Sequence, residues 1–246
     1  MGVLLLFNGG FMLLATLVSI LTKDGVTVEL SLAALLTLMV GVILMLITRN
    51  HTKQLSKREG YLVVTFGWIL MTFSGMLPYL LTDVFTNVSS AFFETMSGYT
   101  TTGSSVLADI EAVPKGVLFW RSTTHWIGGM GIIVLAIAIL PLLGIGGMQL
   151  FTAEAPGPSS DKLHPRITDT AKRLWFIYVG FTVAETLMLW AAGMSLFDAI
   201  NHAMSTVSTG GFSTKNASVS FWNDQPMIQY IIVIFMFLAG VNFVLS

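Results

Sequence analysis

Cysteine is absent from all 246 positions, which excludes disulfide frameworks, thiolate metal sites and cysteine nucleophiles together. Charge is nearly as scarce. Asp, Glu, Lys and Arg make up 10% of the chain, against about 25% in an ordinary soluble domain. The 12 basic and 13 acidic residues leave a net charge of −1, so no global basic field points to nucleic acid. The first apolar segment, VLLLFNGGFMLLATLVSIL, has no basic stretch ahead of it and no small-residue cleavage site after it. It reads as a retained helix rather than a secretory signal.

What is present is hydrocarbon: 54% of the residues are hydrophobic and the mean hydropathy is +0.79, the composition of an all-α integral membrane protein. A spanning helix needs about 20 mostly apolar residues. Six stretches qualify, at 2–22, 28–48, 61–82, 118–143, 173–193 and 227–246. Arg49, Lys53, Lys57 and Arg58 share one connecting loop, and Lys162, Arg166, Lys172 and Arg173 another. The positive-inside rule makes both loops, and the N-terminus, cytoplasmic. The opposite loops carry Asp83, Asp109, Glu111, Asp198 and Asp224 against Lys115, Arg121 and Lys215. That mildly acidic outer face would concentrate cations at an entrance.

Two apolar pieces are left over, SSAFFETMSG at 89–98 and SLFDAINHAMS at 195–205. At about 1.5 Å per residue, each reaches only halfway through a hydrocarbon layer of about 30 Å, which predicts re-entrant helices. Asn87 is the expected N-cap of the first, and Ser195 with Asp198 resembles a capping box for the second. Each piece runs into a stretch of small hydroxyl residues and glycine, SGYTTTGSSVL at 97–107 and STVSTGGFST at 205–214. Non-helical backbone at membrane depth is tolerated only where protein or a watery cavity can satisfy its amides and carbonyls.

The two regions align with an offset of 108 residues: Ala91 with Ala199, Met96 with Met204, Ser97 with Ser205, Thr101 with Thr209, Gly103 with Gly211 and Ser105 with Ser213. The following helices correspond too, WIGGMGI at 126–132 with FLAGVNF at 237–243. Each unit is therefore an outer helix, a re-entrant pore helix, a Thr-x-Gly filter strand and an inner helix, the order of a potassium-channel pore unit. Passing a dehydrated cation requires oxygens in place of its hydration shell, and backbone carbonyls with threonine hydroxyls supply them without a trapping charge. Glycine lets the strand reach the backbone angles that aim carbonyls at one axis. The candidate filter residues are Thr100, Thr101, Thr102 and Gly103 in the first unit and Ser208, Thr209, Gly210 and Gly211 in the second. A monovalent cation is expected at Thr101, Thr102, Thr209 and Gly210, with no organic cofactor.

GYTTTGSSVL, FWRSTTHWIGGMGIIVLAIAILPLLGIGGMQLF, AEAPGP and DAINHAMSTVSTGGFST together resemble the Trk/Ktr family of bacterial potassium-uptake proteins, its Trk-type branch in particular. The resemblance runs from about residue 60 to the end, and the two helices before residue 50 are similar to that branch's extra N-terminal pair. It implies potassium uptake across the inner membrane, a pseudo-fourfold pore of four non-identical repeats, homodimerisation and a cytoplasmic NAD/ATP-binding regulatory ring. The residues alone say only monovalent cation; the resemblance implies that the ion held at Thr101, Thr102, Thr209 and Gly210 is potassium. The resulting organisation is an N-terminal helix pair (1–50), a first pore repeat (60–150), a cytoplasmic linker (151–171) and a second repeat (172–246). Only two of the four repeats are present, and the sequence stops at GVNFVLS within an apolar helix; the expectation is an N-terminal half of a longer chain.

Glu94 lies in the first re-entrant helix opposite His202 of the second. A carboxylate at membrane depth is costly and often functional, and the expected role is a buried anchor accepting hydrogen bonds from filter amides, against the alternative of snorkelling to the outer water. Glu185, mid-helix, is expected to meet a polar group of the bundle. His125 and His202 are too scattered for a metal site and read as hydrogen-bonded supports, while His51 and His164 fall in basic loops. Gly128, Gly129 and Gly131 lack the strand and lysine of a phosphate loop and read as helix packing, with Gly240 as counterpart. An intramembrane hydrolase built on Ser and His is disfavoured: no Gly-x-Ser-Gly is present, and a catalytic dyad needs no duplication. A non-conducting membrane subunit is the other alternative.

Overall fold

The structure, a computed structural model, describes residues 1–48, 57–143 and 163–240. Two long apolar helices, α1 (Gly2–Thr22) and α2 (Thr27–Thr48), form an antiparallel pair. Lys23 closes α1 in a left-handed conformation (φ 52°). In the turn that follows, the Asp24 carboxylate accepts hydrogen bonds from the Ser19 hydroxyl and from the Gly116 amide at 2.6 Å, which fastens the pair to the start of a later helix.

The first unit comprises α3 (Lys57–Gly75), α4 (Leu77–Leu81), α5 (Val88–Tyr99) and α6 (Lys115–Leu143). The second comprises α7 (Leu163–Ala191), α8 (Leu196–Val207), a short 3-10 turn at Ser218–Trp222 and α9 (Pro226–Gly240). By length and apolarity, residues 2–22, 27–48, 62–81 and 172–191 can each cross a membrane. The expected crossing at 61–82 is interrupted at Met76, where α3 gives way to α4. Pro78 explains the break, since it has no N–H to offer the carbonyl four residues back. The sixth expected span is described only as the 15 residues of α9. The basic loop at 49–56 and most of the linker at 151–171 lie outside the described residues.

The two half-length helices form where the sequence places them. Asn87 caps α5 by accepting the Ser89 amide at 2.9 Å, and Ser195 caps α8 by accepting the Asp198 amide at 3.1 Å. The second cap is a variant of the capping box, because the Asp198 carboxylate accepts from the Ser195 hydroxyl at 2.7 Å. Burial then holds each helix. Ala91, Thr95 and Tyr99 of α5 are buried, as are Ala199, Ala203 and Val207 of α8. Asn8 of α1 joins three elements: its Nδ2 donates to Ser74 Oγ at 2.8 Å, and its Oδ1 accepts from the Tyr99 hydroxyl at 2.5 Å. Outward faces of α1, α2 and α7 present Leu17, Leu35, Leu46, Phe176 and Leu187, as helices immersed in lipid should.

Candidate functional site

Both half-length helices end in the same backbone path. The amide of Thr100 bonds the Met96 carbonyl, that of Thr101 the Gly98 carbonyl and that of Thr102 the Ser97 carbonyl. At an offset of 108 residues, Ser208 bonds Met204, Thr209 bonds Thr206 and Gly210 bonds Ser205. The backbone hand also alternates alike: Thr101 (φ 53°) and Gly103 (φ 74°) are left-handed, as are Thr209 (φ 59°) and Gly211 (φ 87°). Alternating hand turns successive peptide groups toward one side, the arrangement by which a strand presents several carbonyls to a single ion. Threonine tolerates this region poorly because its branched Cβ crowds the backbone. Strain of about 1–3 kcal/mol at each such position persists only where the surroundings enforce it.

The two segments touch. A side chain on Gly103 would collide with the carbonyl oxygen of Gly210, so Thr101, Thr102, Gly103, Thr209, Gly210 and Gly211 belong to one locus. Thr102, Thr209 and Gly211 are exposed along it. Thr100 and Ser208 play a different part. The Thr100 hydroxyl donates to the Met96 carbonyl at 2.8 Å and the Ser208 hydroxyl to the Ser205 carbonyl at 3.0 Å, closing their helices, and the Thr100 oxygen also lies 2.8 Å from the Thr102 hydroxyl.

Behind the first segment, Glu94 is fully buried. Its Oε1 accepts from the Ser105 hydroxyl at 2.9 Å and from Arg121 Nε at 2.7 Å, and its Oε2 accepts from the Val106 amide at 2.9 Å. Behind the second, His202 occupies the corresponding place and bonds the corresponding serine, with Nε2 at 3.0 Å from Ser213 Oγ and Nδ1 at 2.8 Å from the Asp198 carbonyl. Carboxylate and imidazole thus hold equivalent hydroxyls. His125 stacks on Phe212 at 3.8 Å and lies 3.1 Å from the Ser205 hydroxyl. Among the described residues no group of His, Asp and Glu is placed to hold a metal.

Two features escaped sequence reasoning, the burial of Arg121 and the role of Asn216, and the polar group expected to meet Glu185 had no name. Arg121, expected in an outer loop, lies in α6 and is 2% exposed; the available signal was a lone guanidinium in an apolar span with a membrane-depth carboxylate to pair with. Glu185 is fully buried and turned toward the Thr206 hydroxyl, though among the described residues neither of its oxygens closes a well-formed hydrogen bond. Asn216 clasps the loops beyond the two segments: its Oδ1 accepts from the Ile110 amide at 2.7 Å, and its Nδ2 donates to Asp109 at 2.8 Å. This bond holds the Asp109 carboxyl below the usual carboxylate range. Two of the α6 glycines pack closely. Side chains would strike the Tyr99 carbonyl at Gly128 and the Ser208 backbone at Gly129, whereas at Gly131 one would make only ordinary contact with Trp68 at 3.6 Å, and at Gly240 nothing among the described residues lies within 4 Å.

The family model for TrkH, a cation transport protein, matches residues 29–246. The chain is 46% identical to the Trk system potassium uptake protein TrkH of Salmonella typhimurium, covering 98% of this chain and 50% of that protein. It is 34% identical to the Trk system potassium uptake protein TrkI of Halomonas elongata, covering 96% and 48%. The crystal structure of the potassium transporter TrkH from Vibrio parahaemolyticus superposes with a TM-score of 0.86 at 40% identity, over 99% of this chain and 49% of that one. The chain thus spans about half the length of the relatives it matches. A family match over most of its residues, on an all-helical fold shared with a solved potassium transporter, places this chain in the TrkH family of cation transport proteins.

Proposed function

We propose that the chain carries two of the pore-lining units of a potassium-uptake protein of the bacterial inner membrane, with Thr101, Thr102 and Gly103 and Thr209, Gly210 and Gly211 lining the ion path. The observation that carries the reading is the recurrence, 108 residues apart, of the same three backbone hydrogen bonds and the same left-handed pair in segments that meet each other. Helical packing alone has no use for strained threonines at φ 53° and 59°. An ion that needs carbonyl oxygens does. Both re-entrant helices end at the locus, so their partly negative C-terminal ends add a modest attraction for a cation. Exposed Asp109 and Glu111 lie in the loop just beyond.

Potassium as the cargo follows from what the relatives are named for and from the resemblance of the motifs. The resemblance of the motifs also suggests a homodimer under a cytoplasmic NAD/ATP-binding ring, and the basic loops suggest a cytoplasmic N-terminus. No organic cofactor enters the reading, since the ion is substrate. With one left-handed glycine per segment, fewer carbonyl rings are available than in a longer filter, and sodium should be rejected only partly.

The test is uptake by the natural full-length protein in bacteria lacking other potassium uptake, at several potassium and sodium concentrations. Thr101→Val and Thr209→Val remove a hydroxyl at nearly constant volume and should weaken the apparent affinity for potassium about threefold to tenfold, the worth of one ordinary hydrogen bond. Parental affinity and selectivity in both, at equal membrane protein levels, would make the segments packing turns.

A further inference from the structure

A buried positive charge beside a cation path would repel the cargo unless something holds and neutralises it. Arg121 makes three contacts: Nε donates to Glu94 Oε1 at 2.7 Å, Nη1 donates to the Ser213 carbonyl at 3.1 Å, and the guanidinium lies 3.5 Å above the Phe212 ring. Glu94 holds Ser105 and Val106 of the first segment, while Phe212 and Ser213 directly follow Gly211 of the second. One side chain therefore joins the two segments.

We propose that Arg121 is a positioning residue that sets ion specificity by locking the first Thr-x-Gly segment to the second through Glu94 and the Ser213 carbonyl. This rests on the pore reading above. A planar guanidinium suits the task, since it can donate to two acceptors in fixed directions while its face packs on a ring. A lysine could reach either acceptor as a point charge but could not reproduce the fork. The internal repeat supplies an independent argument. Under the alignment of the inner helices, Arg121 corresponds to Ile232, as Glu94 corresponds to His202. Both charges are replaced together in the second unit, where Ile232, His202 and Ser213 line one cavity of about 260 Å³. The pair is retained or lost as a pair, as expected when either charge alone is a liability.

The experiment measures potassium uptake and sodium competition by the full-length protein carrying Arg121→Lys, Arg121→Ile, Glu94→His or the double change Glu94→His/Arg121→Ile, with Gly103→Ser alongside. Arg121→Lys should raise the apparent KM for potassium about tenfold, the worth of a charge-assisted hydrogen bond, and let sodium compete, while the maximal rate per membrane protein falls far less. Each single neutral change leaves an unpaired buried charge and should cut membrane protein levels. The double change should restore those levels and keep the raised KM. Parental KM and sodium competition in Arg121→Lys, or in the double variant, would overturn the proposal. So would a double variant that never reaches the membrane, since Arg121 would then be needed simply to fold. Gly103→Ser separates the two failures: if it alters selectivity while the Arg121 variants do not, only the lock is wrong, and if it too is silent the pore reading falls.

Discussion

Gly103 and Gly211 look equivalent in sequence, and the duplication places both at left-handed positions, φ 74° and 87°. Their surroundings differ. A methyl group on Gly103 would meet the Gly210 carbonyl, whereas on Gly211 it would meet nothing within 4 Å among the described residues. Gly211→Ala therefore carries only the backbone penalty of the left-handed region, about 1–2 kcal/mol. Gly103→Ala carries the same penalty and must also push the neighbouring segment aside. Uptake assays should show clearly greater sodium permeation for Gly103→Ala than for Gly211→Ala at matched membrane levels; equal effects would mean that the two segments do not meet. The need for glycine at both positions was legible in the motif. That Thr101 and Thr209 share the left-handed region was not, because a β-branched residue argues against it locally and only the surrounding hydrogen bonds enforce it.

At the scale of elements, the half-length helices were the clearest signal, since length, cap residue and apolar stretch all gave the same answer for α5 and α8. The break after α3 was legible in Pro78 but masked by the continuous apolar run around it. Longer-range ties were not legible at all. Asn8, on a mostly apolar helix, carries no sequence mark of its partners, which lie 66 and 91 residues away in Ser74 and Tyr99. Because Tyr99 ends α5 and its carbonyl abuts Gly128, the Asn8 bridge holds the base of the first segment from the side of the N-terminal pair. Asn8→Leu would strand the buried Tyr99 hydroxyl in an apolar setting, at about 1–3 kcal/mol for an unsatisfied group, while Ser74 keeps its bond to the Met71 carbonyl at 3.0 Å. The purified variant should melt at lower temperature in detergent. The companion Asn8→Leu/Tyr99→Phe, which removes the stranded hydroxyl, should recover part of the loss, and no recovery would mean that the Asn8–Tyr99 bond contributes nothing.

Across the whole molecule, orientation comes from the distribution of charge rather than from packing, because the same helical bundle would fold with either face outward. The loops beyond the two Thr-x-Gly segments carry Asp109, Glu111 and Asp224 and are clasped through Asn216, while eight of the 12 Lys and Arg residues lie at 49–58 and 162–173. Positive charge is retained in the cytoplasm during insertion, so the clasped loops should face outward and present their carboxylates to arriving cations. The chain contains no cysteine, which lets single cysteines report their side without background. Ser220→Cys, in an exposed turn of the second unit, should react with a membrane-impermeant maleimide added to intact cells. Leu55→Cys, within the first basic loop, should react only after the membrane is opened. The reverse pattern would turn the pore entrance toward the cytoplasm, where acidic loops could not gather external potassium, and uptake would then need a different account of how ions reach Thr101 and Thr209.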